Sequence, residues 1–288
     1  MKTKNTFLNF FCTLAFLPFY SFAQSQQAIT PASTAQPNVQ ILDTAFLMPQ
    51  LNRTRKVWLY LPPDYETSVK RYPVIYMHDG QNLFDQSTAF AGEWEVDETL
   101  NKLHREGDFG AIVVGIDNGA RKRLDEYSPW ANKVYGGGEG DEYIEFIRQT
   151  LKPFIDDKYR TKTGPENNCL WGSSMGGLIS TYGVVKYPET FGKAGVFSPA
   201  YWFSFDSLSQ TISNHSKDLS HLKLIQVAGE KEGSNMKVFI QKITDEMVGQ
   251  KVPLSNMKVK IDPDGAHNEA YWRREFAAAY QWLFKQKD

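Results

Sequence analysis

Two kinds of apolar spacing alternate along this chain. Residues 73–77 and 111–116 are short unbroken apolar runs, the pattern of strands covered on both faces, while residues 55–61 alternate apolar with polar as a half-buried antiparallel strand does. Residues 95–104 form a helix candidate between the two apolar runs, and residues 141–155 place Tyr143, Ile144, Phe146, Ile147 and Leu151 on one helical face. Strands are then expected at 168–171, 194–197, 222–228 and 257–261, separated by helices at 178–185 and 236–247 and closed by a helix at 269–284. Such alternation predicts an α/β fold: a mostly parallel central sheet flanked by helices on both faces. No repeat or composition break follows Val39, so residues 39–288 are expected to fold as one domain.

The first residues have a different character. Lys2 and Lys4 precede an apolar run from Phe7 to Phe22 that ends in Ser21-Phe22-Ala23, which predicts a signal peptide over residues 1–23 cut before Gln24. An uncleaved anchor is the alternative reading; the short run, Pro18 and the small residues at the cut argue for cleavage. Residues 24–38, rich in Gln, Ser, Thr, Ala and Pro, are expected to be a flexible linker. A periplasmic or secreted protein is implied, with no membrane attachment after cleavage. Removal of the leader takes Cys12 with it and leaves Cys169, on an expected strand, as a buried apolar thiol with no internal disulfide partner.

Composition narrows the partners. The 288 residues are 41% hydrophobic and carry a formal net charge of −1, so the chain has the apolar content for a large core and no positive field to draw nucleic acid or an acidic lipid surface. A small-molecule partner is expected.

The chemistry concentrates at Gly172-Ser173-Ser174-Met175-Gly176, a G-x-S-x-G pentapeptide placed directly after an expected strand and before an expected helix. In a strand-to-helix elbow the central Ser174 is exposed as a nucleophile, and the Met175 backbone N–H at the helix start can hold an oxyanion. A tight turn without chemistry is the plain alternative. A serine hydroxyl needs a base to take its proton. Of the five histidines, His104, His215 and His221 fall in polar surroundings, whereas His78 and His267 follow strand ends, where groups in open α/β sheets gather. Where the nucleophile sits on such an elbow, acid and base follow it in chain order, and only His267 does so. Glu232, in the loop after the 222–228 strand, is the preferred acid to orient His267; Glu230, Asp262 and Asp264 remain alternatives. A second oxyanion donor is expected from the loop after His78, with Gly80 admitting the Gln81 backbone.

With these residues the chain resembles the Putative esterase family of α/β-hydrolases, which includes esterase D-like, siderophore and feruloyl or acetylxylan esterases. The resemblance rests on residues 57–65, 72–80, 172–177, Ser198-Pro199-Ala200-Tyr201-Trp202 and Gly265-Ala266-His267. It implies the α/β-hydrolase fold, Ser174 as nucleophile, His267 as base, oxyanion donors at Met175 and after His78, and no metal or organic cofactor. An exported serine ester hydrolase acting on a siderophore trilactone or an aryl or acyl-sugar ester is expected. The alternatives are an acyltransferase using the same machinery and a catalytically silent siderophore- or glycan-binding protein.

Tyr201, Trp202, Trp130 and Arg123 are expected to touch substrate, with Trp272 a further rim candidate. Tyr201 and Trp202 follow the 194–197 strand onto the rim that carries Ser174, Trp130 and Trp272 are candidates to join them, and Arg123 stands ready for an anionic or phenolic group. Rim packing for the aromatics, and pairing of Arg123 with Glu126, are the competing roles.

Overall fold

The computed structural model describes residues 32–284. In chain order the regular elements are β1 (Val39–Met48), β2 (Arg53–Tyr60), β3 (Val74–His78), α1 (Val96–Arg105), β4 (Ile112–Ile116), α2 (Arg123–Glu126), α3 (Gly140–Phe146), a π-turn (Ile147–Leu151), α4 (Lys152–Lys158), β5 (Asn168–Ser173), α5 (Met175–Lys186), β6 (Lys193–Phe197), α6 (Phe205–Ser213), β7 (Lys223–Gly229), α7 (Ser234–Gly249), β8 (Met257–Asp262) and α8 (Glu269–Phe284). All eight strands join one sheet in the order β1-β2-β4-β3-β5-β6-β7-β8. β1 and β2 run antiparallel to their neighbours, and β4, β3, β5, β6, β7 and β8 are mutually parallel. The parallel sheet with helices on both faces is the α/β-hydrolase architecture expected above.

β3 shows why this sheet needs two helical layers. Successive side chains of a strand point to opposite faces, so Val74 and Tyr76 enter one core with the helices of the α3–α5 side, while Ile75 and Met77 enter the other with α1 and α8. Every residue of β3 and β4 is buried, which is why both read as unbroken apolar runs. Cys169 belongs to the second core, and burial pushes its thiol pKa up to about 12.

Near its start the described chain differs from a free linker. Ser33 Oγ donates to Asp85 Oδ2 at 2.7 Å, Thr34 Oγ1 to Glu93 Oε2 at 2.8 Å and the Gln36 backbone N–H to Asp97 Oδ2 at 2.8 Å, so this segment is a docked strap. Its uncharged composition suggested flexibility, but small hydroxyl and amide donors are what a nearby acidic loop can hold. The expected signal peptide and its cleavage site lie outside the described residues. No helix among the described residues is long and apolar enough to cross a membrane.

Candidate active site

Parallel strands deliver their following loops to one edge of the sheet, and that edge collects Asp79 after β3, Asn118 after β4, Ser174 after β5, Ser198 after β6, Glu232 after β7 and His267 after β8. Ser174 adopts φ 56° and ψ −120°, a conformation side-chain-bearing residues rarely take. Its N–H donates to Phe197 O at 2.9 Å, and its carbonyl accepts from Leu178 and Ala200, which fixes the turn on both sides. A Cβ at Gly172 would stand 2.9 Å from the Gly176 carbonyl carbon and from His78 Cδ2, so the close approach of strand and helix requires glycine there. Met175 opens α5, where the first N–H groups have no intrahelical acceptor.

Glu232 and His267 meet across two adjacent loops. His267 Nδ1 lies 2.8 Å from Glu232 Oε2, with the histidine side chain 43% exposed and the carboxylate side chain 1% exposed. Glu232 Oε1 accepts from the Gly229 backbone N–H at 2.7 Å and from Ser198 Oγ at 2.7 Å. Burial alone would raise the Glu232 pKa, but the hydrogen bonds from His267, Gly229 and Ser198 outweigh it and hold the group below its ordinary value. A glycine contact brings the loops together: a Cβ on Gly229 would fall 2.0 Å from Gly265 O, and one on Gly265 would fall 2.7 Å from Gly229 Cα. The other acids sit elsewhere. Asp262 binds Arg274 at 2.6 Å, and Asp264 faces Lys231 at 3.3 Å.

Around Ser174 lies a cleft of about 510 Å³ lined by Asp79, Gln81, Asn82, Phe90, Trp94, Asn118, Arg123, His267, Glu269 and Trp272 among others. His267 also borders a second hollow of about 510 Å³, walled by Pro199, Trp202, Glu232, Met236 and Phe239. The imidazole therefore stands between two recesses. Gln81 faces the first, and its side-chain oxygen accepts the Asn118 N–H at 3.1 Å. Gly80 does not line the cleft; it lies against β4, where a Cβ would come 2.8 Å from Asp117 N. Its lack of a side chain lets the loop cross that strand.

The expected substrate contacts divide. Trp202 is 53% exposed beside His267, as a contact residue requires. Tyr201, by contrast, is fully buried, with its hydroxyl 2.8 Å from both Thr181 Oγ1 and Gln226 Oε1. It belongs to the core, because the short turn after β6 directs adjacent side chains to opposite sides. Trp130 packs edge-on against Tyr182 at 5.2 Å and lines neither recess beside His267. Arg123 reaches the cleft, but its guanidinium binds Asp79 through Nε at 2.7 Å and a second nitrogen at 2.9 Å. The anticipated partner Glu126 is taken by Arg53 and Arg55 of β2. Burial works against charge on Asp79, yet Arg123 and an Asn118 hydrogen bond at 2.7 Å keep its pKa below the ordinary value.

Trp272 was a candidate for the rim and His78 for a strand end; their partners, and the places of Phe90 and Glu269, were not anticipated from the sequence. Trp272 Nε1 donates to Ser198 Oγ at 2.8 Å, and its ring meets the His267 imidazole edge-on at 5.2 Å. Phe90, 82% exposed, stands at the cleft rim. Glu269, at the start of α8, lines the same cleft with its pKa raised by burial and by the nearby Asp79 charge. His78 is not a second candidate base: it is buried, its Nδ1 lies 2.8 Å from Tyr143 Oη, and burial lowers its pKa to about 4.

The sequence profile of the family described as Putative esterase matches residues 49–283. Among curated proteins, YbbA of Bacillus subtilis, an uncharacterized protein, is 26% identical over 243 residues, covering 80% of this chain and 92% of that one. A siderophore triacetylfusarinine C esterase of Aspergillus fumigatus is 26% identical over 149 residues, 49% of this chain and 48% of that protein. Among solved structures, the enterobactin esterase of Shigella flexneri determined in the presence of enterobactin superposes with a TM-score of 0.70 at 19% identity, over 87% of this chain and 60% of that one.

Proposed function

Since the chain belongs to the Putative esterase family, whose chemistry is ester hydrolysis, we propose that it is an exported serine esterase working through an acyl-enzyme. The observation carrying this reading is the placement of Ser174, on its strained elbow, in one cleft with a His267 that is hydrogen bonded to the buried Glu232. Ser174 Oγ attacks the ester carbonyl carbon while His267 Nε2 takes its proton. Backbone N–H groups of Met175 and Gln81 hold the oxyanion. The tetrahedral species collapses, the alcohol leaves with the proton from His267, and water repeats the sequence to release the acid. Glu232 fixes the tautomer with the proton on Nδ1 and stabilises the imidazolium.

Two recesses flank His267, each with an exposed aromatic at its margin: Phe90 on one side and Trp202 on the other. An ester with sizeable groups on both sides of the scissile bond fits this layout better than a short acyl ester. A siderophore trilactone or an aryl ester of a sugar has that form, and the A. fumigatus relative is named for a siderophore ester.

The test is a hydrolysis panel of short acyl esters, feruloyl sugars and a trilactone siderophore, run with wild-type protein and Ser174→Ala. Turnover that vanishes in the variant supports the proposal. Binding without turnover in the wild type overturns it in favour of a silent binding protein.

A further inference from the structure

Away from the Ser174 chemistry, three carboxylates converge where the loop before α1 meets the strap at residues 33–36. One oxygen from each of Glu93, Asp97 and Glu98 lies within 4.8 Å of the other two. Each carboxylate engages one oxygen with a neutral donor of the strap: Glu93 Oε2 with Thr34 Oγ1 at 2.8 Å, Asp97 Oδ2 with the Gln36 N–H at 2.8 Å, and Glu98 Oε1 with Gln36 Nε2 at 3.3 Å. The second oxygen of each, Glu93 Oε1, Asp97 Oδ1 and Glu98 Oε2, is buried with no hydrogen-bond donor from outside the three acids. Asp97 is fully buried and Glu93 is 3% exposed, so bulk water does not serve these atoms. Arg273 of α8 reaches this loop, where it donates to Glu95 Oε1 at 2.7 Å and to the Glu93 backbone carbonyl at 3.4 Å.

Buried carboxylate oxygens without donors are costly, and three together without a counter-charge add mutual repulsion. We propose that Glu93, Asp97 and Glu98 form a calcium site that fastens the strap to the wall of the cleft. Calcium takes oxygen ligands at about 2.3–2.6 Å in flexible geometry, so oxygens up to about 4.8 Å apart can share one ion, with water completing the shell. Magnesium fits less well, since it demands a tight octahedron and retains most of its water. The ion's two positive charges offset two of the three negative ones, while the strap's donors occupy the outer oxygens. Trp94, between Glu93 and Glu95, lines the Ser174 cleft and packs on Trp272 at 5.6 Å, so the site stiffens that wall without entering the reaction.

The experiment uses purified protein stripped with a chelator and returned to calcium. At about a hundred times its Kd, calcium should raise Tm by roughly 5–10 °C, with magnesium giving less. Terbium, a calcium substitute, should show luminescence on tryptophan excitation that calcium abolishes; this measurement needs no variant. Asp97→Asn and Glu98→Gln should melt cooperatively in chelator at or above the stripped wild-type temperature, because one like charge is gone, and should lose the calcium response. A wild-type Tm indifferent to calcium together with absent terbium emission overturns the site. So does an equal calcium shift in wild type and both variants.

Discussion

The Ser198 hydroxyl donates to Glu232 Oε1 at 2.7 Å while accepting the Trp272 indole N–H at 2.8 Å. The proposed triad acid is thus steered from β6 and α8 as well as from its own loop. Ser198→Ala removes one of the donors to the ionised carboxylate, an interaction of about 1.5–3 kcal/mol, so kcat/KM should fall by about tenfold. The acid limb of the pH profile should move upward because Glu232 ionises less readily. A changed KM with an unmoved acid limb would assign Ser198 to substrate contact instead.

For the triad itself, Ser174→Ala and His267→Ala should each lower kcat by roughly a thousandfold or more, and the double variant should be little worse than either. Glu232→Gln should cost at least about tenfold. Near-normal turnover in Glu232→Gln, paired with a large loss in Glu230→Gln or Asp264→Asn, moves the acid role to the neighbour.

His78 links stability to pH. Its folded pKa lies at about 4, below the ordinary histidine value of 6.5, so the unfolded chain binds more protons between those values. The contribution is fully present above pH 6.5 and is lost as pH falls towards 4, amounting to about 3 kcal/mol from this group. Urea unfolding across that window should show the slope, and His78→Gln should flatten it whatever its effect at neutral pH.

Neighbouring aromatics should behave in opposite ways. Trp202→Ala should reduce kcat/KM for an aryl ester by roughly tenfold while hydrolysis of a small acetyl ester changes little. Tyr201→Phe should instead lower stability by about 1–3 kcal/mol, because Thr181 and Gln226 lose a buried partner, and should leave substrate preference intact. Equal losses on both esters in the Trp202 variant point to packing.

Export is checked by N-terminal sequencing of protein recovered outside the cytoplasm. A start at Gln24 is expected. A chain that begins at Met1 and stays with the membrane fraction supports the anchor.

Elements buried on both faces were the legible ones, as β3 and β4 show. β1 escaped detection because it is an edge strand with mostly exposed side chains, and no regular alternation marks it. α6 was hidden in a polar connection, since only Leu208 and Ile212 turn inward. Ser174, His267 and Glu232 could be chosen because each follows a strand and chain order limits the options. Arg123 shows where that reasoning stops: its partner Asp79 lies 44 positions upstream, whereas Glu126 three positions on was drawn away by β2. Local spacing cannot report such competition across the sheet. The bond between Ser198 and Trp272 escaped for the same reason, its partners being 74 positions apart.

The back-to-back contact of Gly229 and Gly265 constrains how this protein can be adapted. Neither loop can change course or gain a side chain at that point without parting acid from base, so new substrate preferences have to arise elsewhere. The free positions are around Phe90 and Trp202, on segments that carry no member of the triad, and a combinatorial library confined to them can widen the range of esters accepted while the catalytic set keeps its spacing.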